Sequence, residues 1–269
     1  MVRIATWNLL HAVSTNGVSA PDYLGHQASL TGADIIGLQE VDRDQIRSGM
    51  SHQTREVALA LNMPYWFFAP AIVGTPGQEW AKAHDESIHS HKHADESGEA
   101  HYGIGLASRY PLSHIEVMRF APAPISLPLL VPGPKGAQIM KVADEPRIAL
   151  IAQVDCPGGP IMVATTHLSF VPGFNVRQLR AITHRLAEFE MPTLLFGDFN
   201  LPSGLPKFIT GWDSLAKIAT YPVNKPKIQF DHVLSRGIRK GAVVRAQKSA
   251  RAISLGISDH CALTVDLEF

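Results

Sequence analysis

The amino-acid sequence predicts a layered α/β protein, on three observations. Short apolar runs of strand length recur along the chain and end in polar residues. Segments with apolar residues at helical spacing lie between them. Hydrophobic residues make up 45% of the 269 positions and charged ones only 18%, enough to bury a sizeable core. The most informative run is Leu194-Leu195-Phe196-Gly197-Asp198-Phe199-Asn200. Successive side chains of a strand point to opposite faces, which predicts Asp198 and Asn200 on one face and Phe199 on the other. A carboxylate beside a carboxamide at a strand's carboxyl edge is the usual place for a site in such a fold. Asp198 is read there as activating a water, and Asn200 as holding the group attacked.

The elements follow in order. Val2 to Leu9 reads as a buried strand delivering Asn8 at its end, and Pro21 to Leu30 as a short helix. Asp34 to Gln39 is a second apolar strand whose last step exposes Glu40, a candidate oxygen ligand for a divalent cation. Gln53 to Leu61 has helical spacing, and Tyr65 to Ala69 is strand-like. Arg43 and Arg47, in the polar loop that begins at Val41-Asp42-Arg43, are the first basic candidates for a phosphate contact.

Residues 78–101 change character. Five of the 13 histidines fall here (His84, His89, His91, His93, His101), with six acidic residues and two lysines. The segment is read as an exposed, mobile, His-rich insertion rather than a metal-binding lid. Its net charge of −4 leaves the rest of a neutral chain mildly basic at +4.

Gly103 to Ser108 and Ser113 to Phe120 are strands, whereas five prolines between Ala121 and Gly136 predict a connecting loop. Arg147 to Val154 and Pro160 to Thr166 form a hairpin whose second strand ends at His167. Asn175 is the expected N-cap of a helix carrying Val176, Leu179, Ile182, Leu186 and Phe189. Phe208 to Ala216 is partly helical, Ile228 to Leu234 is a strand, and Ala242 to Ala246 and Cys261 to Leu267 are the last strands. Asp231 lies among apolar residues and needs a partner, because burying a lone carboxylate is costly. The Ser258-Asp259-His260 sequence before the final strand offers one: Asp231 is expected to orient His260 and stabilise its protonated ring.

Lys+Arg and Asp+Glu are equal at 24 each, so bulk charge attracts neither nucleic acid nor an anionic membrane. The N-terminus lacks the layout of a signal peptide, and no apolar run reaches the roughly 20 residues of a bilayer span. A cytoplasmic monomer with no membrane span is expected. Cys156 and Cys261 supply neither a disulfide framework nor metal-ligand spacing. Oxygen ligands without a cysteine cluster suit Mg2+ or Mn2+. Two imidazoles beside such a cation suit attack on a phosphate ester, where charge on the equatorial oxygens must be offset.

With those residues in view, the chain resembles the endonuclease/exonuclease/phosphatase family. The resemblance rests on Thr6-Trp7-Asn8, Leu38-Gln39-Glu40-Val41-Asp42-Arg43, the Tyr102-Gly103 to Ser108-Arg109 strand, Thr166-His167-Leu168, Gly197-Asp198-Phe199-Asn200, Phe230-Asp231-His232 and Ser258-Asp259-His260. These motifs are dispersed in family order from residue 4 to residue 260. The resemblance implies a four-layer sandwich, two mainly antiparallel β-sheets face to face with helices outside, in one domain over 1–269. It implies Glu40 as principal metal ligand, adjoined by Asn8 and Asp259. It also implies catalytic roles for Asp198, His260 held by Asp231, His167 and Asn200, with Arg43, Tyr102 and Asn200 meeting substrate. Where many relatives carry asparagine after Tyr102-Gly103, this chain has Ile104.

The implied activity is a Mg2+-dependent phosphoric ester hydrolase, on a small-molecule or lipid-headgroup ester. Nucleic acid is the less favoured partner, although Lys225, Lys227, Arg236, Arg239 and Lys240 could form a local basic patch. A catalytically silent binding protein is the reading from another class, and it is disfavoured because Glu40, Asp198 and His260 are all present.

Overall fold

The computed structural model describes residues 1–13, 21–85, 88–93, 98–133 and 136–268. Its first half contains β1 (Val2–Asn8), α1 (Pro21–Ser29), β2 (Ile35–Arg43), α2 (Gln53–Ala60), β3 (Tyr65–Gly74), β4 (Trp80–Lys82), β5 (His89–Ser90), β6 (His101–Ser108) and β7 (Leu112–Phe120). Then come β8 (Ser126–Gly133), β9 (Gly136–Ala143), β10 (Arg147–Cys156), β11 (Gly159–His167), α3 (Phe174–Leu186) and β12 (Thr193–Asp198). The last elements are α4 (Leu205–Thr210), β13 (Asp213–Ser214), β14 (Asp231–Arg236), α5 (Lys240–Ser249), β15 (Arg251–Ile253) and β16 (Ala262–Leu267).

Two sheets carry the fold. One has the strand order β15-β16-β1-β2-β6-β3-β4 with β5 on β3, and the other β13-β14-β12-β11-β10-β7. Among the described strands each sheet is antiparallel except for one central parallel pair, β1/β2 in the first and β11/β12 in the second. Side-chain alternation builds the layers. Ile4, Ile35 and Leu106 of the first sheet meet Leu150, Val163, Phe196 and Val233 of the second in one buried cluster. The opposite face of the first sheet, with Trp7, Ile36, Leu38 and Phe68, lies under Leu24 and Ala28 of α1 and Val57 and Ala58 of α2. Leu179, Ile182 and Leu186 of α3 cover Ile151, Ala164 and Leu195 on the outside of the second. The result is the four-layer sandwich expected. No helix among the described residues is long and apolar enough to cross a membrane.

Several expectations are corrected. Ala242 to Ala246 is not a strand but part of α5, where Ala242, Val243 and Ala246 form a buried stripe at helical spacing. Five residues of Ala-Val-Val-Arg-Ala fit either period, and packing decides. The proline-rich stretch is not a plain loop, because β8 pairs along its length with β9. In a two-stranded ribbon half the peptide N–H groups face away from the partner, so Pro128 and Pro132 are tolerated. The N-cap of α3 is Gly173, and Asn175 lies inside its first turn.

The His-rich segment is not a free-standing exposed insertion. β4 and β5 pair with β3, and His89 and His101 are buried. The rings of His52, His89 and His101 form a cluster with centroids 6.1 and 5.7 Å apart. Residues 86–87 and 94–97 of the expected insertion lie outside the described residues.

Gly197 shows how tightly the second sheet is drawn together beside its site. Its φ is +146°, and a Cβ there would lie 1.9 Å from the carbonyl oxygen of Thr166 on the neighbouring strand. Gly197→Ala is expected to destabilise the protein by about 3 kcal/mol or more, since both backbone strain and a backbone clash must be relieved. Urea unfolding of the purified variant measures this.

Candidate active site

The carboxyl ends of the two parallel pairs lie at the same edge of the sandwich, and their polar side chains converge there. Register sets His167 against Asp198 in β11/β12, and antiparallel β14 sets Asp231 against Asp198 from the other side. Asn8 ends β1 in the first sheet. Glu40 arrives by a different route from the one expected. It does not end its strand: β2 runs on to Arg43, and its pairing with β6 slips between Leu38 and Val41, where Glu40 takes a φ of +53°. A bulge of this kind re-aims a side chain out of the regular alternation.

Asn200 also reaches the site otherwise than expected. It lies beyond β12 at φ +49°, and its N–H donates to Asp198 Oδ1 at 2.9 Å. This carboxylate-capped turn, rather than a shared strand face, brings the Asn200 amide to 3.2 Å from His167 Nε2. Asn175 Nδ2 secures the turn by donating to the Asn200 carbonyl at 3.0 Å.

Asp198 is the hub. Its Oδ2 accepts from Asn8 Nδ2 at 3.0 Å and lies 3.6 Å from His167 Nε2 and 3.8 Å from His260 Nε2. Asn8 Nδ2 also donates to Glu40 Oε1 at 2.9 Å, while Asn8 Oδ1 accepts from the Leu10 N–H at 3.0 Å. Asn8 therefore presents its amino group, not its oxygen, to the two carboxylates, which departs from the ligand role expected of it. His260 Nδ1 lies 2.8 Å from Asp231 Oδ2, to which Thr220 Oγ1 also donates at 2.5 Å. Asp231 is fully buried, so its partners fix His260 with a proton on Nδ1.

His167 has an unforeseen neighbour. Arg147 Nη1 lies 3.1 Å from His167 Nδ1, and Asp144 Oδ1 accepts from Arg147 Nε and Nη2 at 3.3 and 3.2 Å. A guanidinium only donates, so His167 Nδ1 accepts there, while Nε2 faces both Asp198 and the Asn200 amide, whose Nδ2 also donates to the Leu168 carbonyl at 2.9 Å. Nothing in the sequence marked Arg147 or Asp144. The available signal was topological: Arg147 opens the hairpin whose other end is His167.

The electrostatics follow from burial. Burial, then the charges of Asp259 and Asp198, push Glu40 up to about 7 against the Asn8 hydrogen bond and His260. Burial pushes Asp198 up to about 6, against the pull of His260 and the Asn200 N–H. For His260, burial favours the neutral ring, but the charge and hydrogen bond of Asp231, with Asp198 and Asp259, outweigh it and push it up to about 10. His167 is held well below the usual histidine range by burial, Arg147 and His260. The site thus pairs one protonated and one neutral imidazole.

Tyr102, buried, lies electrostatically beside Glu40. Arg43 does not reach the site. It is 2% exposed, pairs with Asp44 at 3.1 Å and meets His89 Nε2. Arg47 takes the place next to the site instead, bound to Asp42 at 2.7 and 2.8 Å and lying 5.7 Å from the Tyr102 ring centroid. Ligand atoms of Asp198, Asp231 and His260 lie within 4.8 Å of one another, close enough to hold an ion. However, the Asp231–His260 atoms are already joined by a hydrogen bond, and a protonated imidazole does not ligate. The acid-rich side at Glu40 and Asp259 fits a hard cation better, because the charge of Asp259 raises the proton affinity of Glu40 and, among the described residues, neither carboxylate is hydrogen-bonded to a cationic side chain as Asp231 is.

Two facing sheets with carboxylates and imidazoles at one edge define a phosphohydrolase-type site. The chain belongs to the endonuclease/exonuclease/phosphatase family, whose model matches residues 5–260. Family members are phosphoester hydrolases and generally depend on divalent metal. Solved structures with the same fold include a family member from Leptotrichia buccalis, at 15% identity and TM-score 0.64 with 100% of both chains covered. A mannosyl-6-phosphatase from Bacteroides thetaiotaomicron matches at 14% identity and TM-score 0.61, again over 100% of both chains. A D. rerio TDP2 complexed with a single-strand DNA product matches at 16% identity and TM-score 0.57, over 100% of this chain and 99% of that one. No curated protein sequence matches the chain significantly.

Proposed function

We propose that the chain is a Mg2+-dependent hydrolase of small phosphate esters, in which an activated water attacks phosphorus in line. The observation that carries this reading is the placement of Asp198 Oδ2 between two imidazoles, 3.6 Å from His167 Nε2 and 3.8 Å from His260 Nε2. Asp198 orients the water and takes its proton, as a carboxylate raised to about 6 is suited to do near neutral pH. His260, kept protonated by Asp231, donates from Nε2 to a phosphoryl oxygen as charge develops there. His167 Nε2 and the Asn200 amide beside it face the phosphoryl group from the opposite flank. Glu40 and Asp259 would hold the cation, which would supply positive charge to offset the charge developing on the phosphoryl group. Tyr102 and Arg47 border the entrance.

The mannosyl-6-phosphatase among the similar folds makes sugar phosphates natural first substrates. A panel of sugar phosphates, inositol phosphates, nucleotides and lipid headgroups with added Mg2+ tests the reading. Phosphate release from at least one small ester, abolished by chelation, is expected; release from none would sink it.

A second reading, cleavage of nucleic acid, has one observation in its favour. Lys207, Lys217 and Lys227 line a cavity of about 340 Å³ together with Ser203 and Gln229. Fast cleavage of generic single-stranded DNA, falling steeply as salt rises from 50 to 200 mM (roughly the range where counterion release acts), would favour it.

A further inference from the structure

A second cavity, of about 150 Å³, lies on the same rim as the site but farther along it. Its lining includes Ala71, Lys82, Arg119, Phe120, Pro122 and Arg147. Strand order fixes its distance from the site. In the second sheet His167 of β11, Arg147 of β10 and Phe120 of β7 follow one another, with Arg147 directly opposite Phe120. In the first sheet Glu40 of β2, Tyr102 of β6 and Ala71 of β3 do the same, with Tyr102 opposite Ile72. Neighbouring strands stand about 4.8 Å apart, so the cavity begins at Arg147, one strand from the catalytic residues and in contact with His167, and reaches strands two removed, roughly 10 Å from them.

The cavity is cationic and built. Lys82, Arg119 and Arg147 line it, and among the described residues no acidic one does. Arg119 is anchored by Nη1 donating to the Pro70 carbonyl at 2.8 Å and by Nε donating to Asp85 at 3.0 Å. Its Nη2 is buried and has no hydrogen-bond partner among the described residues. Leaving such a donor unsatisfied is costly, and in a cavity it calls for an acceptor. Asp85 is 75% exposed, so its neutralisation of Arg119 is screened by solvent, and Arg147 is already matched by Asp144. Glu145 also interacts with Arg147 but is outside the lining. The volume far exceeds the roughly 10–15 Å³ that one water requires and accommodates a tetrahedral oxyanion.

We propose that this cavity is an anion subsite that receives a second phosphate of the substrate, so that the protein prefers small bisphosphorylated esters whose phosphates stand roughly 10 Å apart. The preference for such substrates rests on the hydrolase reading above; the anion site itself does not.

Two measurements on the full chain keep those failures apart. In chelator-treated protein calorimetry with inorganic phosphate reads anion binding, and the Arg119 and Lys82 variants assign it to this cavity rather than to the lysine-lined one or the catalytic centre. One phosphate is expected to bind, at least tenfold more weakly in Arg119→Gln and in the exposed-site variant Lys82→Gln. Absence of binding, or equal binding in folded variants, overturns the subsite. With Mg2+ present, both variants are expected to raise KM for glucose 1,6-bisphosphate at least tenfold while leaving KM for glucose 6-phosphate within twofold. Equal shifts for both esters would place the cations on the scissile phosphate and overturn the proposal. So would a dependence on Arg119 and Lys82 confined to single-stranded DNA. If no ester of any kind is hydrolysed, the hydrolase reading fails and the calorimetry alone decides the subsite.

Discussion

Asp198→Asn is expected to lower kcat/KM by about 10³-fold or more while the protein stays folded. The loss is large because Asp198 is the one carboxylate that touches Asn8, His167, His260 and the Asn200 backbone together. An amide cannot take a proton from water, so general-base assistance disappears along with the orientation of both imidazoles. The fold is retained because the amide oxygen still accepts the Asn200 N–H, and because the variant no longer buries a charge that the folded state resists, as its pKa of about 6 shows. Thermal unfolding of chelator-treated protein at pH 8 is expected to give a Tm no lower than that of the parent.

Asp231→Asn is the second large effect, with kcat expected to fall by roughly 10²- to 10⁴-fold. Among the described residues the Asp231 carboxylate hydrogen-bonds only to the Thr220 and His260 side chains, so it acts on the reaction through the imidazole, alongside the effect of its charge on Asp198. Burial alone favours neutral His260, and Asp231 is the leading reason its pKa is raised to about 10. With a neutral amide in that place burial is opposed only by the more distant carboxylates, and the His260 pKa is expected to fall well below that value. The direction follows from the charges: losing a buried negative partner destabilises the cationic ring. NMR titration of the His260 ring, read beside kcat, separates this from simple loss of structure. An unchanged ring pKa would remove Asp231 from the mechanism.

Much of the site was legible because sequence periodicity places residues on strand ends without knowing how strands assemble. Asn8, His167 and Asp198 each end an apolar run, and parallel pairing then carries two such runs to one edge. Asp231 was marked by its burial among apolar residues, which demanded the partner it has. What local pattern could not reveal were departures from regular geometry. Glu40 depends on a bulge set by the pairing with β6, and Asn200 on a turn at positive φ. Alternation alone predicted a strand end and a shared face for them.

Other errors have the same origin in tertiary context. Arg43 and Arg47 are equally basic and polar in sequence, but the first is drawn to His89 Nε2 and the second is held by Asp42 beside Tyr102. The histidines of the His-rich segment were read as solvated because polar residues surround them. Pairing of β4 and β5 with β3 tucks His89 against Phe68 instead, with ring centroids 6.1 Å apart. Ala242 to Ala246 departs for a simpler reason, since five residues hold too little periodic information to separate a helix from a strand.

The central claim is that Asp198 and His260 perform phosphate-ester hydrolysis beside a cation held across the cleft by Glu40. Its most direct test is turnover of bis(p-nitrophenyl) phosphate during a Mg2+ titration, by the parent chain and by folded Glu40→Gln, Asp198→Asn and His260→Ala. The parent is expected to be silent in chelator and active with Mg2+. Glu40→Gln should need at least tenfold more Mg2+, and the other two should stay at least 10²-fold slower at saturating metal, about the loss expected for removing a general base or an oxyanion donor. Rates equal to the parent in all three variants, or a Mg2+ requirement that shifts with Asp198→Asn and not with Glu40→Gln, would contradict the account.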